Sequence, residues 1–340
     1  MKTPSLQGTA FVTGANGFLG SRICRELAEQ GASVVALCRT PPNDDRLAHQ
    51  NICIANGDIL DPARIVTAMS RCDYCFHLAA MAKPWARDPL QFTNVNVEGM
   101  RNVTKAAIEN GLKRIVFTST AGVFGPSTGE ELLDENSPRD LGEKSQYEQS
   151  KIQAEDLFLD RTNSSETDGV IVNPTRVFGP GPLTVANSLT KIISQIEEGS
   201  WRMLPGSGNS VGNYVFIEDV VTGHLLAMQN GKPGSRYLLG GENLSFLELF
   251  GMIQEESTPG SKWLLPVPLL AIRLYAHMQL LKANWFNHPP KLTPKFAKKY
   301  SSSCWLSHAK AEQEIGYQPR TIRDGVKATL DWLRLNGSHA

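Results

Sequence analysis

The chain has 340 residues, which allows two ordinary domains or one large α/β domain with a smaller appendage. Apolar residues make up 41% and charged residues 20% of the sequence, and this composition excludes intrinsic disorder as the main state. Basic and acidic residues number 34 each, so the formal net charge is zero and nothing in it favours a nucleic-acid partner.

Six scattered cysteines, with no signal-like segment before them, predict a reduced, cytoplasmic protein. Cys72 and Cys75 form a CxxC pair, but Cys75 falls inside the apolar run DYCFHLAA. We therefore interpret this pair as packing and predict no metal site.

Strand and helix patterns alternate through the first half of the chain. The predicted strands are Thr9–Thr13, Ser33–Leu37, Asn51–Ala55, Asp73–Leu78, Arg114–Ser119 and Gly169–Asn173. The predicted helices are Gly17–Gln30, Pro62–Met69, Val95–Asn110 and Tyr147–Arg161. Nearly continuous apolar strands separated by helices predict a doubly wound α/β fold, with a parallel sheet of the Rossmann type covered on both faces.

After Pro174 the alternation breaks, glycine and proline become frequent, and helical patterns dominate beyond Leu244. We predict that the chain returns to the sheet at Tyr214–Val220 and Arg236–Leu239. The predicted dinucleotide-binding domain is therefore residues 1–180 plus about 213–240. A smaller, mostly helical C-terminal substrate lobe takes about 181–212 and 241–340.

The most apolar stretch, Trp263–Leu281, has roughly the length of a membrane span. Pro266, Pro268, Arg273 and His277 argue against a lone spanning helix. We predict a helix packed in the lobe. Two alternatives are the wall of an apolar substrate channel and a helix that contacts a membrane surface.

A glycine-rich turn, GANGFLG, joins the first predicted strand to the first helix. The first glycine permits a tight turn, the second lets backbone approach a pyrophosphate, and the third lets the helix pack closely on the sheet. The helix N-terminus adds free N–H groups and a partial positive charge. The residues predicted to contact a dinucleotide here are Gly14, Asn16, Gly17, Phe18, Leu19 and Gly20.

The GxxGxxG spacing resembles the extended branch of the short-chain dehydrogenase/reductase superfamily, the NAD-dependent epimerases and dehydratases. That branch includes nucleotide-sugar epimerases, 3β-hydroxysteroid dehydrogenases and dihydroflavonol reductases. The resemblance implies a catalytic YxxxK pair, which Tyr147 and Lys151 supply one helical turn apart. Lowering a tyrosine pKa from near 10 by about two to three units needs roughly 3–4 kcal/mol. We expect the lysine charge and a positive nicotinamide ring to supply it.

The same resemblance assigns further catalytic residues. The segment FTSTAGVFG places Thr120 on the catalytic Ser/Thr position, with Ser119 as second choice, and Thr120 would bind the substrate oxygen. Asn96 matches an asparagine that helps to position the lysine.

Other segments resemble the family's cofactor contacts, GDI at the adenine, HLAA along the cofactor and NPTRVFGPG near the nicotinamide. The residues implied are Asp58, Ile59, Ala79, Ala80, Pro174 and Val177, together with Tyr147 and Lys151.

The end of the second strand bears on the choice of cofactor. An acid there would bind the ribose 2′-OH of NAD, but Cys38 occupies that place and Arg39 follows it. Because a guanidinium suits a 2′-phosphate, we predict that NADP(H) is favoured over NAD(H).

Three differences from the motifs of individual family members restrict the type of reaction. Ala121 and Gly122 replace the Asp-Glu pair of the 4,6-dehydratases, and Gly212 stands where epimerases carry a diphosphate-binding arginine. The NYV…EDV segment with His224 is closer to hydroxysteroid, dihydroflavonol and hopanoid-associated members. Lys83 and Trp85 follow HLAA, where substrate-facing loops are expected, and Trp85 suits an apolar or ring substrate.

These observations predict an enzyme that reduces a ketone, or oxidises a secondary alcohol, on a sterol-like, flavonol-like or long-chain β-keto substrate. One alternative is an NAD-dependent sugar epimerase. Another is a non-catalytic dinucleotide sensor, against which the Thr120, Tyr147 and Lys151 set argues. Relatives often pair the helices here predicted at Val95–Asn110 and Tyr147–Arg161, so we expect a homodimer.

Overall fold

The structure is a computed structural model that describes residues 6–139, 142–258, 263–286 and 288–337, without the side chains of 284–286. Parts of the predicted domains, residues 1–5, 140–141, 259–262, 287 and 338–340, lie outside the described residues. The strands are β1 (Thr9–Thr13), β2 (Ser33–Cys38), β3 (Ile52–Asn56), β4 (Tyr74–His77), β5 (Arg114–Thr118), β6 (Asp168–Pro174), β7 (Arg176–Phe178), β8 (Met203–Pro205), β9 (Val211–Phe216), β10 (Arg236–Leu239), β11 (Glu242–Ser245) and β12 (Leu265–Val267).

The helices alternate with the strands in the first half of the chain and predominate in the last third. They are α1 (Phe18–Glu29), α2 (Pro62–Met69), α3 (Leu90–Thr93), α4 (Gly99–Glu109), α5 (Gln146–Asn163), α6 (Ser188–Glu197), α7 (Ile217–Asn230), α8 (Phe246–Glu256), α9 (Leu269–Phe286), α10 (Pro294–Lys298), α11 (Ala309–Ile315) and α12 (Ile322–Asn336).

Seven parallel strands form the main sheet, in the order β10-β6-β5-β4-β1-β2-β3. The order reverses at β1, which pairs with β2 on one side and β4 on the other. Connections leave the sheet in opposite directions at this point, so a crevice opens at the carboxyl ends of the two strands. The predicted doubly wound parallel sheet is confirmed.

Hydrophobic side chains alternate between the two faces of the sheet. In β1, Val12 packs on the face covered by α1 and α7, while Phe11 packs on the face covered by α2, α4 and α5. This alternation follows from the two-residue period of a strand, and both faces are buried because helices cover each of them. A third cluster joins α6, α8 and α12 to β9 in the second part of the molecule.

The helix predicted at Val95–Asn110 begins earlier than expected. A run of helix extends from Leu90 to Glu109, with a π-helical turn at Asn94–Glu98 between α3 and α4. Gly111 has a φ of 66° and ends the run as predicted, because glycine adopts the left-handed conformation without strain.

The predicted return to the main sheet is correct at Arg236–Leu239, which pairs with β6, and wrong at Tyr214–Val220. Strand β9 ends at Phe216 and belongs to a separate three-stranded sheet with β7 and β11. Residues from Ile217 onward are helical because the apolar residues Ile217, Val220 and Val221 recur at helical spacing.

The apolar stretch Trp263–Leu281 is not one helix. Residues 265–267 form strand β12 beside β8, and α9 begins only after Pro268. One side of α9 is packed as predicted, through Ile272 and Ala276. None of the described helices is both long and apolar enough to cross a bilayer.

A fully buried carboxylate, Glu155, joins α5 to the far edge of the sheet. Its oxygens accept hydrogen bonds from Arg139 at 3.2 Å, Arg236 of β10 at 3.1 Å and Asn173 of β6 at 2.8 Å. A buried carboxylate is tolerated only when its charge is compensated in this way.

Glu155→Gln should lower the free energy of unfolding by about 3 kcal/mol, because removing one partner of a buried ion pair leaves the other charges uncompensated. Urea unfolding measures this loss. Asp156→Asn is the matched control, since Asp156 contacts the same two arginines but its side chain is 55% exposed. Its loss should stay below about 1 kcal/mol, and equal losses in both variants would contradict the assignment.

Candidate active site

A cleft of about 710 Å³ opens at the carboxyl ends of β1 and β4, where the strand order reverses. Every residue that the sequence predicts to contact a dinucleotide lines it. These residues are Gly14, Asn16, Gly17, Phe18, Leu19, Gly20, Arg39, Asp58, Ile59, Ala79, Ala80, Tyr147, Lys151, Pro174 and Val177. Thr120 and Ser119 line the same cleft. Lining residues that the sequence analysis did not assign include Cys38, Thr40, Thr118 and Thr175.

Two glycines of the β1–α1 turn are required by close backbone approaches. Gly14 has a φ of 68°, and a Cβ there would lie 2.8 Å from the backbone nitrogen of Ala79. A Cβ on Gly20 would overlap the carbonyl oxygen of Gly14. A larger side chain at either position would therefore push the turn away from β4 or the helix away from the sheet.

The polar groups around the cleft fit a dinucleotide. Helix α1 has Gly17 as its N-cap residue and no side-chain cap, so its first N–H groups are available to an anion. Asn16 Oδ1, Ser119 Oγ and Thr175 Oγ1 are buried and lack hydrogen-bond partners among the described residues. Buried polar atoms normally have partners, so these atoms fit a ligand that completes their hydrogen bonds.

The end of β2 carries no acid at the rim of the cleft. Cys38 is buried and burial raises the pKa of its thiol, so it contributes no negative charge. Arg39 is exposed and lines the cleft. The guanidinium of Arg46, which the sequence did not predict, lies behind this lining, donates to the backbone oxygen of Asn16 at 3.3 Å and pairs with Asp44.

Thr120, Tyr147 and Lys151 meet at the inner end of this cleft. The Thr120 hydroxyl lies close enough to the phenol of Tyr147 to lower its pKa, and it accepts from the Gly122 N–H at 3.2 Å. The Lys151 ammonium donates to the carbonyl oxygen of Thr118 at 2.7 Å. The structure therefore brings the three predicted catalytic side chains together, Thr120 from the turn after β5 and the other two from α5.

The protonation of this group differs from the expectation. Burial, and secondly the charge of Glu148, raise the pKa of Tyr147 above its usual value, while the Thr120 hydrogen bond lowers it. Burial lowers the pKa of Lys151 to about 7, although the Glu155 carboxylate opposes the change. The expected lowering of the tyrosine pKa by Lys151 is therefore not found in the chain itself, because burial disfavours both charged forms.

Glu148 connects the start of α5 to the C-terminal part of the chain. It forms a capping box with Ser145, and its Oε1 accepts from the Lys299 ammonium at 2.6 Å. Burial opposes its ionisation, but Lys299 and the hydrogen bonds from Ser145 hold the pKa of Glu148 below its usual value. A carboxylate thus stays ionised directly beside Tyr147.

Asn96 lies behind the cleft, in the π-helical turn, and does not line it. Its Oδ1 accepts from the Met81 N–H at 2.7 Å, and its Nδ2 donates to Ser150 Oγ at 2.8 Å. Ser150 precedes Lys151, so this contact supports a positioning role for Asn96.

Two buried histidines, His77 and His224, lie beside the site, and neither serves as an acid. Thr118 donates to His224 Nε2 at 2.9 Å, and His224 Nδ1 donates to the Val220 carbonyl at 2.7 Å. Burial lowers the pKa of His224 to about 4 and that of His77 to about 3. Both rings are neutral at pH 7 and orient their neighbours.

The two residues predicted to face the substrate lie away from the cleft lining. Lys83 is exposed and Trp85 is half-buried. A residue that the prediction overlooked, Arg176, stands directly over Gly212, where a Cβ would overlap its guanidinium. Arg176 donates to the Tyr214 hydroxyl at 2.9 Å and has no carboxylate partner among the described residues.

Residues 10–240 match the NAD dependent epimerase/dehydratase family. A Synechocystis protein with the provisional name dihydroflavonol 4-reductase is 30% identical over 96% of this chain and 95% of its own length. Sterol demethylase protein B of Methylococcus capsulatus is 30% identical over 97% and 99% of the two chains. The 2-alkyl-3-oxoalkanoate reductase of Shewanella oneidensis is 27% identical over 94% and 84%.

Solved structures agree with the sequence relatives. The crystal structure of gox2253 is 29% identical and superimposes with a TM-score of 0.80 over 98% of this chain and 100% of that one. The family match covers more than half of the chain and coincides with the sheet, the glycine turn and the cleft. The chain therefore belongs to the NAD-dependent epimerase/dehydratase family, the extended short-chain dehydrogenases/reductases, and is an enzyme with a nicotinamide dinucleotide cofactor.

Proposed function

We propose that the protein is an NADP(H)-preferring reductase that converts a ketone on a largely apolar molecule to a secondary alcohol. The observation that carries this proposal is that Thr120, Tyr147 and Lys151 line the cofactor cleft together. A hydroxyl pair at this place can hold a carbonyl oxygen and protonate it.

The glycine turn, Arg39, Asp58, Pro174 and Val177 would hold the cofactor, which when bound supplies a hydride to the carbonyl carbon. Thr120 would orient the carbonyl oxygen toward the phenol. Tyr147 would donate its proton to that oxygen as negative charge develops there. Lys151, held by the Thr118 carbonyl, would support the resulting phenolate.

The direction of the tyrosine pKa supports reduction. A proton donor must be protonated before the reaction, and a raised pKa keeps Tyr147 protonated at neutral pH. Loss of the Tyr147 proton should therefore lower the rate of ketone reduction only at a pH above the ordinary range for tyrosine, whereas loss of the Lys151 charge should affect the rate near pH 7. Alcohol oxidation needs the phenolate and is less favoured by this environment.

Three substrate classes fit the proposal, sterol-like, flavonol-like and long-chain β-keto compounds. The names of the relatives support each class in turn, since they refer to a sterol, a dihydroflavonol and a 3-oxoalkanoate. Lys83 and Trp85 stay in the proposal as residues of a substrate-facing loop, although neither lines the cofactor cleft.

A sugar-nucleotide epimerase is the second candidate, and one observation favours it. Position 212 carries glycine in place of the arginine expected of epimerases, but the guanidinium of Arg176 occupies the space above this glycine. An arginine without a carboxylate partner could bind a phosphate as well as a substrate carboxylate. Arg176 is therefore the residue whose replacement separates the two functions.

A homodimer and a cytoplasmic location complete the proposal. All six cysteines are free thiols, which supports a reducing compartment. The dimer has weaker support, because Phe158 packs into the chain's own core and Ile152 packs against a cluster that contains Leu306. These two apolar residues of α5 are thus covered within one chain, whereas Leu157 and Leu159 are only partly buried.

Tyr147→Phe should abolish turnover and leave cofactor binding nearly unchanged, because it removes only the transferable proton. Lys151→Ala should impair both, since the lysine would serve the phenolate and the cofactor. Cofactor fluorescence titration and steady-state kinetics measure the two effects. Near-normal turnover in Tyr147→Phe would contradict the catalytic assignment of Tyr147.

Arg39→Ala should remove most of a preference for NADPH over NADH, because a charge-assisted contact to a 2′-phosphate contributes about 1.5–3 kcal/mol. The wild type should bind NADPH at least several-fold more tightly in the same titration. Arg64→Ala, an exposed arginine that donates to the Asn56 carbonyl and does not line the cleft, is the control. Tighter NADH binding by the wild type would overturn the prediction.

A 3-ketosteroid, a dihydroflavonol or a long-chain β-keto acid should raise the melting temperature with NADP⁺ present, whereas UDP-glucose should not. A ligand at about 100 times its dissociation constant stabilises a protein by about 2.7 kcal/mol, which is readily detected. A shift with UDP-glucose that disappears in Arg176→Met would instead support the epimerase.

A further inference from the structure

The exposed apolar side chains of the molecule are concentrated in one segment. Eight of the 15 large apolar side chains that the described chain exposes lie between Trp263 and Phe296. Five of the eight are on α9, and their exposed fractions are 68% for Leu270, 58% for Leu274, 41% for Tyr275, 54% for Met278 and 60% for Leu281.

Helical spacing gathers these side chains on one face. Leu270, Leu274 and Met278 are four residues apart and Leu281 follows after three, so they form a continuous stripe along α9. Ile272 and Ala276 face the other way and are buried against α10. Single exposed leucines are ordinary on a protein surface, but a continuous apolar stripe indicates a binding surface.

The segment that carries this stripe is basic. Its Lys295, Lys298 and Lys299 pair with Glu143 and Glu148, whereas Arg273, Lys282 and Lys291 form no ion pair among the described residues. No aspartate or glutamate occurs from residue 257 to residue 311, whereas the same stretch carries eight lysines and arginines in a chain whose net charge is zero. A second copy of the chain would bring its own positive charges to this face and be repelled. An anionic partner with an apolar interior complements both properties of the surface.

We propose that α9 lies in the plane of an anionic lipid bilayer and inserts its apolar stripe among the acyl chains. Arg273, Lys282 and Lys291 would contact the lipid headgroups. Trp263, which is 56% exposed, would lie at the interface, where indole rings are favoured. This is binding to a bilayer surface without crossing it.

The proposed surface is connected to the start of the catalytic helix. Lys295 donates to the Lys144 carbonyl at 3.3 Å and pairs with Glu143 at 3.4 Å. Lys299 pairs with Glu148, the neighbour of Tyr147. The bilayer surface would thus lie near the helix that carries Tyr147, and this proposal goes beyond the proposed ketone reduction and does not depend on it.

Vesicle sedimentation with the full-length wild type tests the proposal, using phosphatidylcholine alone and phosphatidylcholine mixed with phosphatidylglycerol. The wild type should bind the anionic vesicles, and added salt should weaken the binding. Leu274→Gln with Met278→Gln should reduce binding at least about tenfold. Lys282→Gln with Lys291→Gln should reduce it about fivefold for each lysine, on anionic vesicles only.

The control variant carries Leu247→Gln and Leu335→Gln, which replace exposed leucines outside the segment, and it should bind like the wild type. Unchanged melting temperatures show that each variant is folded. Absence of wild-type binding to anionic vesicles at low salt, or equal binding by the α9 double variant, would falsify the proposal. A wild-type oligomer in light scattering that Leu274→Gln with Met278→Gln dissociates would also overturn it, because a second copy would then cover the face.

Discussion

The buried ammonium of Lys151 is the group on which the arrangement of the site depends. It is 2% exposed and donates to the Thr118 carbonyl at the end of β5. Glu155, one helical turn further along α5, is fully buried, and its charge favours the protonated lysine. Arg139 and Arg236 in turn compensate Glu155. Each of these charged groups would be unstable in the core without its partners. Their contacts therefore fix α5 against β5, β6 and β10. Tyr147, one turn before the lysine, takes its place in the cleft as a result.

The parts of the fold that sequence predicts are those determined over short distances along the chain. The glycine turn needs only a strand before it and a helix after it, and Tyr147 and Lys151 need only a helix between them. Strand β9 was predicted in the wrong sheet because Val211–Phe216 is apolar enough for either one. Its partners β7 and β11 are set by tertiary packing that local spacing does not encode.

What the sequence could not predict involves residues distant in the chain. Arg176 stands over Gly212, Lys299 pairs with Glu148, and Arg46 contacts the Asn16 carbonyl. A comparison of single positions with the epimerase motif shows only that glycine replaces arginine at position 212. In the structure, the guanidinium of Arg176, on strand β7, occupies the space that a side chain at position 212 would take. The conclusion that this chain lacks a cation there is therefore too strong.

The protonation of the tyrosine follows from tertiary structure for the same reason. Spacing along α5 suggests a lysine that stabilises the phenolate, but the fold buries Lys151, removes water from around the Tyr147 phenol and so disfavours both charges. Glu148 adds a negative charge next to the phenol, and Lys299 and the Ser145 hydrogen bonds keep that carboxylate ionised. The acidity of Tyr147 thus depends in part on a lysine that immediately follows α10, about 150 residues away in sequence, in the segment whose apolar stripe faces outward. Any binding event that moved this segment would change the electrostatic environment of the proton donor, through an ion pair rather than through contact with the reacting groups.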